Sequence, residues 1–476
     1  MTHPNHLPRS TPEAHGIASA DILAFLAALA QHNPHSVMLL RHGHVVAEGW
    51  WSPYAPEHPH MLFSLSKSFT ATAVGMLVDA GRLALDAPVV AFFPADSPTE
   101  ISDHWTALQV QHLLSMTTGH AADILSPGFA RETHHWVKTF FAQPLEYPPG
   151  SHFVYNSGAT YLLSAIVQQI TGTTMLDYLQ PRLLAPLGIT NATWETCPRG
   201  INTGGWGLSI TTEAIARFGQ LYLQGGMWRG QQLVSAAWVA AASTAHIASG
   251  DDPASDWAQG YGFQFWRCRH GAYRGDGAFG QFCLIMLEQD AVLAITSGVE
   301  QMQAVLNVVW EHLLPAFQSA ALPANPTAHE QLQHTLQNLQ ISPIQRQNTA
   351  PLAEQISGKT YNFSANFIHV TTMVFDFGAD GCVWSVSDYR GEHQIACGNG
   401  EWRASITTMY LGEPQPIVAS ATWTDEHTFV IEVCFYHTPF YTTITNRFNG
   451  DTLVSEYRMN VGFGPTELPP LEGTLD

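Results

Sequence analysis

Lysine is the scarcest charged residue of this 476-residue chain: three lysines, at positions 67, 138 and 359, stand beside 16 arginines. The 39 acidic residues outnumber the 19 basic ones, which gives a formal net charge of −20 at pH 7. Nucleic acid and anionic membranes both require a positive protein surface, which so few basic residues cannot provide. We therefore expect neither as a partner.

Cysteine is also sparse, with six residues and no C-x-x-C pair. This spacing fits neither a disulfide scaffold nor a zinc site, so free thiols are the simpler interpretation. Histidines lie close together at 58 and 60 and at 134 and 135, but they lack further ligands at helical or hairpin spacing. We expect no metal site and no cofactor.

Long hydrophobic runs are absent as well. No stretch reaches the roughly 18 apolar residues of a membrane-spanning helix, and the N-terminus lacks the basic and apolar regions of a signal peptide. These absences favour a cytoplasmic protein. Since 45% of the residues are hydrophobic, the chain can bury a large core, and its length favours one catalytic-sized domain with a smaller one beside it.

The sequence predicts a first domain over residues 1–318. Helical periodicity over 19–33 precedes two strands around the turn RHGH, and a second helix is expected from Ser64 to about Asp79. Residues 107–225 are typical of an inserted helical subdomain. Strands are predicted again at 261–268, 278–287 and 291–298, followed by a helix near 301–313. We expect one antiparallel sheet, built from both ends of this region, with helices packed on it.

A Pro- and Ala-rich stretch opens a linker over residues 319–345 that contains a short helix. Residues 346–476 then read as β segments joined by turns such as DG and GNG, among them CVWSVSDY, IVASATW, TFVIEVCFY, FYTTITNRF and TLVSEYRM. A small antiparallel β-barrel is the expected architecture of this second domain. The predicted fold class is therefore α+β with a C-terminal barrel.

One of the three lysines, Lys67, lies three residues after Ser64. A serine hydroxyl is a weak nucleophile near pH 7 and needs a base to accept its proton. Residues three apart share a helix face, and a helix N-terminus places backbone N–H groups near the hydroxyl. The pair fits a nucleophile and its base. An exposed lysine on a capped helix is the structural alternative.

Five ordered segments extend the pattern: MLFSLSKSFTATAVGMLVDAGRLALDAPV, LQVQHLLSMTTGH, FVYNSGATYLL, GGWGLSITTEAIARFGQLYLQGGMWRGQQLVS and YRGDGAFGQFCLIMLEQDAVLAITSG. In this order they resemble the serine hydrolases of the β-lactamase and penicillin-binding protein superfamily. Class C β-lactamases, D-alanyl-D-alanine carboxypeptidases and related esterases are the most similar types. The resemblance covers about residues 15–315 and implies a β-lactamase/transpeptidase-like sheet flanked by helices. The C-terminal segment resembles the lipocalin-like barrels attached to some members.

The resemblance implies roles for individual residues. Ser64 would be the acylated nucleophile and Lys67 its base, kept partly neutral by burial. Tyr155 matches the tyrosine of the family's Y-x-N motif, and its phenol or phenolate would relay a proton to the leaving group. The backbone amides of Ser64 and Phe279 would form the oxyanion hole.

The Y-x-N motif departs from the family pattern. Its third residue is Ser157 rather than asparagine, and Asn156 lies between Tyr155 and Ser157. Both Asn156 and Ser157 are therefore candidates for substrate binding. A helix cap by one of them is the structural alternative.

The third family motif, K-T-G or H-x-G, corresponds to Asp276-Gly277-Ala278-Phe279-Gly280. Asp276, Gly277 and Ala278 are candidate substrate-binding residues. In the family, the lysine or histidine helps position a substrate carboxylate, which an aspartate would repel. Asp276 therefore argues against penicillins and cephalosporins as preferred substrates and favours a neutral or amine-bearing acyl group. Hydrogen bonding within its own turn is the alternative.

The sequence supports two alternative functions. The first is a serine hydrolase that acts on a small-molecule ester or amide, of esterase or D-residue peptidase or amidase type, with weak β-lactamase activity as a side reaction. The alternative is a non-catalytic sensor that binds peptides or cell-wall fragments on the same scaffold. Retention of Ser64, Lys67 and Tyr155 favours the hydrolase. Nothing in the sequence selects an oligomeric state.

Overall fold

The computed structural model describes residues 7–98, 100–125, 134–345, 350–409 and 412–475. The chain divides into two compact units. The first comprises residues 1–49, 59–297 and 301–337, and the second comprises residues 50–58, 298–300 and 338–476. The predicted start of the barrel domain, residue 346, lies outside the described residues. The boundaries predicted from sequence stay predictions.

Helices before residue 340 are Ser19–Leu29 (α1), Ser66–Asp79 (α2), Asp103–Ala107 (α3), Val110–Leu114 (α4), Trp136–Ala142 (α5), Ser157–Thr171 (α6), Met175–Leu179 (α7), Thr212–Leu223 (α8), Ala236–Ser243 (α9), Met302–Val308 (α10) and Pro326–Gln337 (α11). A π-helical turn, Val309–Leu313, continues α10. Helix α11 lies within the stretch predicted as a linker.

Strands before residue 300 are Pro34–Arg41 (β1), His44–Trp50 (β2), His60–Met61 (β3), Thr193–Trp194 (β4), Leu208–Ile210 (β5), Met227–Trp228 (β6), Gln231–Gln232 (β7), Trp266–Arg267 (β8), Tyr273–Gly277 (β9), Gln281–Met286 (β10) and Ala291–Ser297 (β11). The main sheet has the order β2-β1-β11-β10-β9-β8. Strand β1 pairs antiparallel with β11, so the two ends of the unit meet inside one sheet. The predicted sheet is confirmed.

Burial of the central strands follows from their sequences. Each residue of β1, β10 and β11 is buried, and since side chains alternate between faces, both faces of the sheet are covered. Helix α8 packs on these three strands. A Cβ at Gly219 of α8 would lie 2.5 Å from Val292 Cγ1 and 2.9 Å from Cys283 Sγ. Glycine therefore lets the helix approach the sheet closely.

One predicted strand is much shorter than expected. The segment 261–268 contributes only β8, because Gln264 adopts a left-handed φ of 63° that interrupts the extended backbone. Its side chain bridges two helices instead: Nε2 donates to the carbonyl oxygens of Leu113 and Leu114 in α4, and Oε1 accepts from Thr160 in α6. The sequence gives no sign of this bridge.

The second unit contains one helix among its described residues, Leu352–Ile356 (α12), and the strands Thr360–Phe363 (β12), Thr372–Gly378 (β13), Gly381–Asp388 (β14), Gly391–Gly398 (β15), Arg403–Thr407 (β16), Gln415–Trp423 (β17), Thr428–Cys434 (β18), Tyr441–Asn449 (β19), Thr452–Met459 (β20) and Leu471–Leu475 (β21). They form one sheet in the order β15-β14-β13-β12-β21-β20-β19-β18-β17-β16. A bridge between Gly398 and Ser420 joins β15 to β17 and closes the barrel. The predicted barrel is confirmed.

Alternating burial explains why these strands close around a core. In β19 and β20 every second residue is buried, as expected when one face of a strand points inward. Large aromatic side chains fill the interior, including Tyr361, Phe375, Trp384, Trp423 and Phe448. Among the described residues, no helix has both the length and the apolar character needed to cross a membrane.

Candidate active site

Ser64 and Lys67 lie at the start of α2. Ser64 is in a 3-10 turn, Phe63–Leu65, that leads directly into the helix. Lys67 Nζ donates hydrogen bonds to Ser64 Oγ at 3.0 Å and to the Gly205 carbonyl oxygen at 2.8 Å. A third bond, to Ser157 Oγ, is 3.3 Å long. These contacts place the amine where it can accept the serine proton.

The environment of Lys67 favours the neutral form of its amine. Only 1% of the residue is exposed. Burial lowers the pKa of Lys67 to about 8, although the carboxylates of Asp123 and Asp276 act in the opposite direction. Roughly a tenth of the amine is then neutral at pH 7. A lysine in water would carry almost no neutral form at that pH.

The ring face of Tyr155 contacts the side-chain nitrogen of Lys67. Lys67 Nζ is 4.7 Å from the centre of the Tyr155 ring, and the ring stacks on Trp266 of β8 at 5.5 Å. Burial and the charge of Asp276 raise the pKa of Tyr155 well above its ordinary value, against the effect of its hydrogen bond with Ser64. Of the two forms considered from the sequence, the phenol is the one this environment favours. Tyr155 can therefore donate a proton.

Asn156 and Ser157 have different positions. Asn156 is fully buried, and its Oδ1 accepts from the backbone N–H groups of Gly158 at 2.9 Å and Ala159 at 3.3 Å, which caps α6. Ser157 instead directs its hydroxyl toward Lys67. The structure places Ser157 in contact with Lys67 and Asn156 at the N-terminal cap of α6, and a substrate-binding role for either residue stays a prediction.

Asp276 is paired rather than isolated. Arg274, two residues earlier on β9, donates from Nε to Asp276 Oδ2 at 2.9 Å, and its Nη2 lies 2.9 Å from the same oxygen in an ion pair. The two side chains share a strand face because side chains alternate along a strand. Arg274 is fully buried and Asp276 is 6% exposed. The guanidinium therefore offsets the negative charge that the sequence argument assigned to this position.

The predicted oxyanion residues lie beside strand β9. Phe279, in the turn between β9 and β10, has a left-handed φ of 66°, and Phe63, immediately before the nucleophile, has a φ of 47°. Their rings meet edge to face at 5.4 Å. Left-handed φ values are rare for bulky residues and concentrate at functional sites. Ala278, the third predicted substrate-binding residue of this segment, lies next to Phe279 in the same turn.

Gly277 allows β9 to approach the nucleophile. A Cβ at this position would lie 1.9 Å from the Leu62 carbonyl oxygen and 3.1 Å from the Ser64 backbone nitrogen. No side chain fits into that space without moving the turn that carries Ser64. The absence of a side chain at Gly277 therefore allows the close approach of β9 to the turn that carries Ser64.

We predict that Gly277→Ala lowers kcat/KM for any substrate of this site by about 100-fold, the effect of losing one oxyanion donor. The displaced turn would misplace the Ser64 amide while the rest of the sheet stays folded. Steady-state kinetics with a chromogenic ester, beside circular dichroism, measures both. As a matched control, Gly464→Ala changes an open position in the second unit where the backbone φ is not left-handed. Equal activity of the Gly277 variant and the wild type would contradict the predicted geometry.

Sequence reasoning missed two charged residues here, Asp123 and Arg274. Asp123 belongs to no motif and reaches the site because its Oδ1 accepts from the Ser157 backbone N–H at 2.8 Å. Arg274 could have been found, since an Arg-x-Asp pattern on a strand places both side chains on one face.

Comparison with known proteins identifies the family. The sequence model of the beta-lactamase family matches residues 26–307. The chain belongs to the beta-lactamase family. Ser64, Lys67, Tyr155 and the β9 segment all lie within the matched region of this beta-lactamase family member.

Two curated relatives extend the comparison. The 6-aminohexanoate-dimer hydrolase of Paenarthrobacter ureafaciens is 30% identical over 217 residues, which cover 42% of this chain and 55% of that protein. Penicillin-binding protein 4 of Amycolatopsis lactamdurans is 28% identical over 252 residues, which cover 46% of this chain and 65% of that protein. The match thus spans less than two thirds of either relative.

Among solved structures, the octameric penicillin-binding protein homologue from Pyrococcus abyssi resembles this beta-lactamase family member with a TM-score of 0.51 at 15% identity. The alignment covers 96% of this chain and 99% of that one. At this identity the likeness concerns the fold. It agrees with the β-lactamase/penicillin-binding-protein-like fold described above.

Proposed function

We propose that this chain is a serine hydrolase that forms an acyl-enzyme at Ser64 and hydrolyses a small-molecule ester or amide. The observation that carries the proposal is the 3.0 Å hydrogen bond from Lys67 Nζ to Ser64 Oγ, in an environment that lowers the pKa of Lys67 to about 8. A base whose pKa lies near the working pH is partly present in its neutral form and is still basic enough to accept the proton of the serine. The names of both curated relatives support this family of reactions.

The proposed reaction has two halves. Neutral Lys67 accepts the proton of Ser64, whose Oγ attacks the substrate carbonyl, and the amides of Ser64 and Phe279 stabilise the resulting oxyanion. Tyr155 donates its phenolic proton to the leaving group and regains one from the protonated lysine. Water then attacks the ester formed at Ser64, with neutral Lys67 accepting its proton. The bond between the acyl carbon and Ser64 Oγ breaks, Lys67 returns the proton to Oγ, and the carboxylic acid product leaves.

Substrate preference is proposed from the charges around Ser64. The Arg274–Asp276 pair offers a substrate carboxylate no free cation in place of the lysine or histidine of the family motif. This supports a neutral or amine-bearing ester or amide over penicillins and cephalosporins. The relative named as a 6-aminohexanoate-dimer hydrolase supports amide hydrolysis. We propose neither nucleic acid nor membrane as a partner and no cofactor.

An acyl-serine probe tests the proposal. We expect a fluorophosphonate to label the wild type at Ser64, as shown by peptide mass spectrometry, and not to label Ser64→Ala. Hydrolysis of p-nitrophenyl butyrate, a D-alanyl anilide and nitrocefin would then rank ester, amide and lactam, with the ester fastest. A folded wild type that is neither labelled nor active would favour the alternative, a non-catalytic binding or sensor protein.

A further inference from the structure

Asp123 places an exposed carboxylate beside the catalytic cluster. Its Oδ1 accepts from the Ser157 backbone N–H at 2.8 Å, and the Ser157 hydroxyl in turn accepts from Lys67 Nζ. Asp123 is therefore separated from the base of the proposed reaction by a single residue. Its side chain is exposed, unlike those of Lys67, Arg274 and Asp276.

The local backbone holds this carboxylate in place. Oδ1 also accepts from the Leu125 N–H at 3.2 Å, and Ser157 is the first residue of the 15-residue helix α6. N–H groups at a helix start favour a negative charge. Both bonds use Oδ1, and no described residue donates a hydrogen bond to Oδ2, so one oxygen remains available to a ligand.

The charged side chains near Ser64 differ in whether a substrate can reach them. Lys67 is buried and directs its amine at three protein oxygens. Arg274 is fully buried and paired with Asp276. Among these four charged residues, only Asp123 presents its charge to solvent. A substrate entering on this side meets a carboxylate rather than a cation.

The proposed role of Tyr155 suggests an orientation for the substrate. In this orientation the leaving group lies beside Tyr155, whose ring stacks on Trp266 of β8. The acyl chain then occupies the side of Ser157, whose backbone N–H donates to Asp123.

We propose that Asp123 is a specificity-determining residue that binds a primary ammonium group on the acyl part of the substrate. The substrate class is then aminoacyl esters or amides with the amine some distance from the reacting carbonyl. This inference rests on the proposed hydrolase function. An exposed ammonium–carboxylate pair contributes up to about a fivefold preference in kcat/KM. The formal net charge of −20 attracts cationic substrates in addition, most strongly at low salt.

Three p-nitrophenyl esters of matched length provide the test: 6-aminohexanoate, heptanoate and the monoester of adipic acid. They keep the leaving group constant and place an ammonium, a methyl or a carboxylate at the same position. We expect the wild type to prefer the ammonium ester over heptanoate by about three- to fivefold in kcat/KM and to disfavour the adipate ester. In Asp123→Asn the ratio of ammonium ester to heptanoate should fall to near one.

The ratio separates binding from a structural role. If Asp123 only capped α6 or stabilised charged Lys67, Asp123→Asn would change the rates of both esters by the same factor and leave the ratio unchanged. Asp21→Asn, an exposed position on α1, makes the same change in net charge and should keep the wild-type ratio.

Two outcomes would overturn the inference: a wild-type ratio near one, or a wild-type ratio that survives in Asp123→Asn. In either case, Ser64-dependent hydrolysis of heptanoate would leave the proposed function intact. Absence of ester turnover and of Ser64 labelling by the fluorophosphonate would overturn the proposed function and this inference together.

Discussion

Replacing Lys67 by methionine is expected to lower kcat for ester hydrolysis by about 10³- to 10⁴-fold, the upper part of the range for a positioned general base. In the wild type, kcat/KM should rise with pH and level off above about 8, because burial lowers the pKa of Lys67 to about that value. The sign follows from the base: an ammonium group has no lone pair, so only the neutral amine accepts the proton of Ser64. Below pH 8 each unit of pH removes about tenfold of the active form.

The chain supplies its own control for this prediction. Lys138 is 59% exposed at its side chain and lies 4.0 Å from Asp96, so Lys138→Met removes the same charge from a surface position. It should keep both the rate and the pH profile. Hydrolysis of p-nitrophenyl butyrate from pH 6 to 10 measures both variants. A flat wild-type profile, or more than a tenth of wild-type activity in Lys67→Met, would exclude Lys67 as the base.

The sequence predicted the parts of this site that depend on short-range geometry. Ser64 and Lys67 lie three residues apart, and helical geometry alone places two such residues on one face. The amides of Ser64 and Phe279 are backbone groups, whose positions depend on the turns that carry them. Their role as an oxyanion hole stays a prediction.

The remaining features depend on contacts between distant segments. Asp123 reaches the site only because the residues before α6 fold back against Ser157, and the bridge made by Gln264 joins α4 and α6 across more than 100 residues. The barrel segments predicted from sequence correspond to β14, β17, β18, β19 and β20. Among the strands that were not predicted, β15 and β16 have the sequences GEHQIACG and RASIT, which contain few large apolar residues. Such polar strands resemble loops in sequence.

The largest effect on stability is expected at Asp256, a fully buried carboxylate of the first unit. It accepts hydrogen bonds from the Arg269 backbone and guanidinium, from Gln303 and from the Trp310 indole, at 2.6 to 3.1 Å. These bonds join the segment between β8 and β9 to α10 and the π-helical turn after it. Asp256→Ala would leave the Arg269 charge without its partner, which costs about 3 to 5 kcal/mol of unfolding free energy.

The pH dependence provides a second signature of the same contact. Burial alone would raise the pKa of Asp256, but the bonds from Arg269, Gln303 and Trp310 outweigh it and lower the pKa below the ordinary value. A depressed pKa in the folded state means that the bonded carboxylate stabilises the fold above the unfolded-state pKa, roughly 3.9. That contribution is lost as pH falls through the lower, folded-state value.

A chain of two units need not unfold in a single step, so a single free energy of unfolding does not describe it. Amide hydrogen exchange instead measures the stability of each segment separately. We expect peptides spanning β9 and α10 to lose about 200- to 5,000-fold protection in Asp256→Ala at neutral pH, the equivalent of about 3 to 5 kcal/mol. Asp251→Asn, at an exposed position in the same loop, should leave their protection unchanged. Because the barrel forms a separate compact unit, its peptides should also be unaffected. Unchanged protection of α10 in Asp256→Ala would mean that the buried carboxylate does not hold this helix in place.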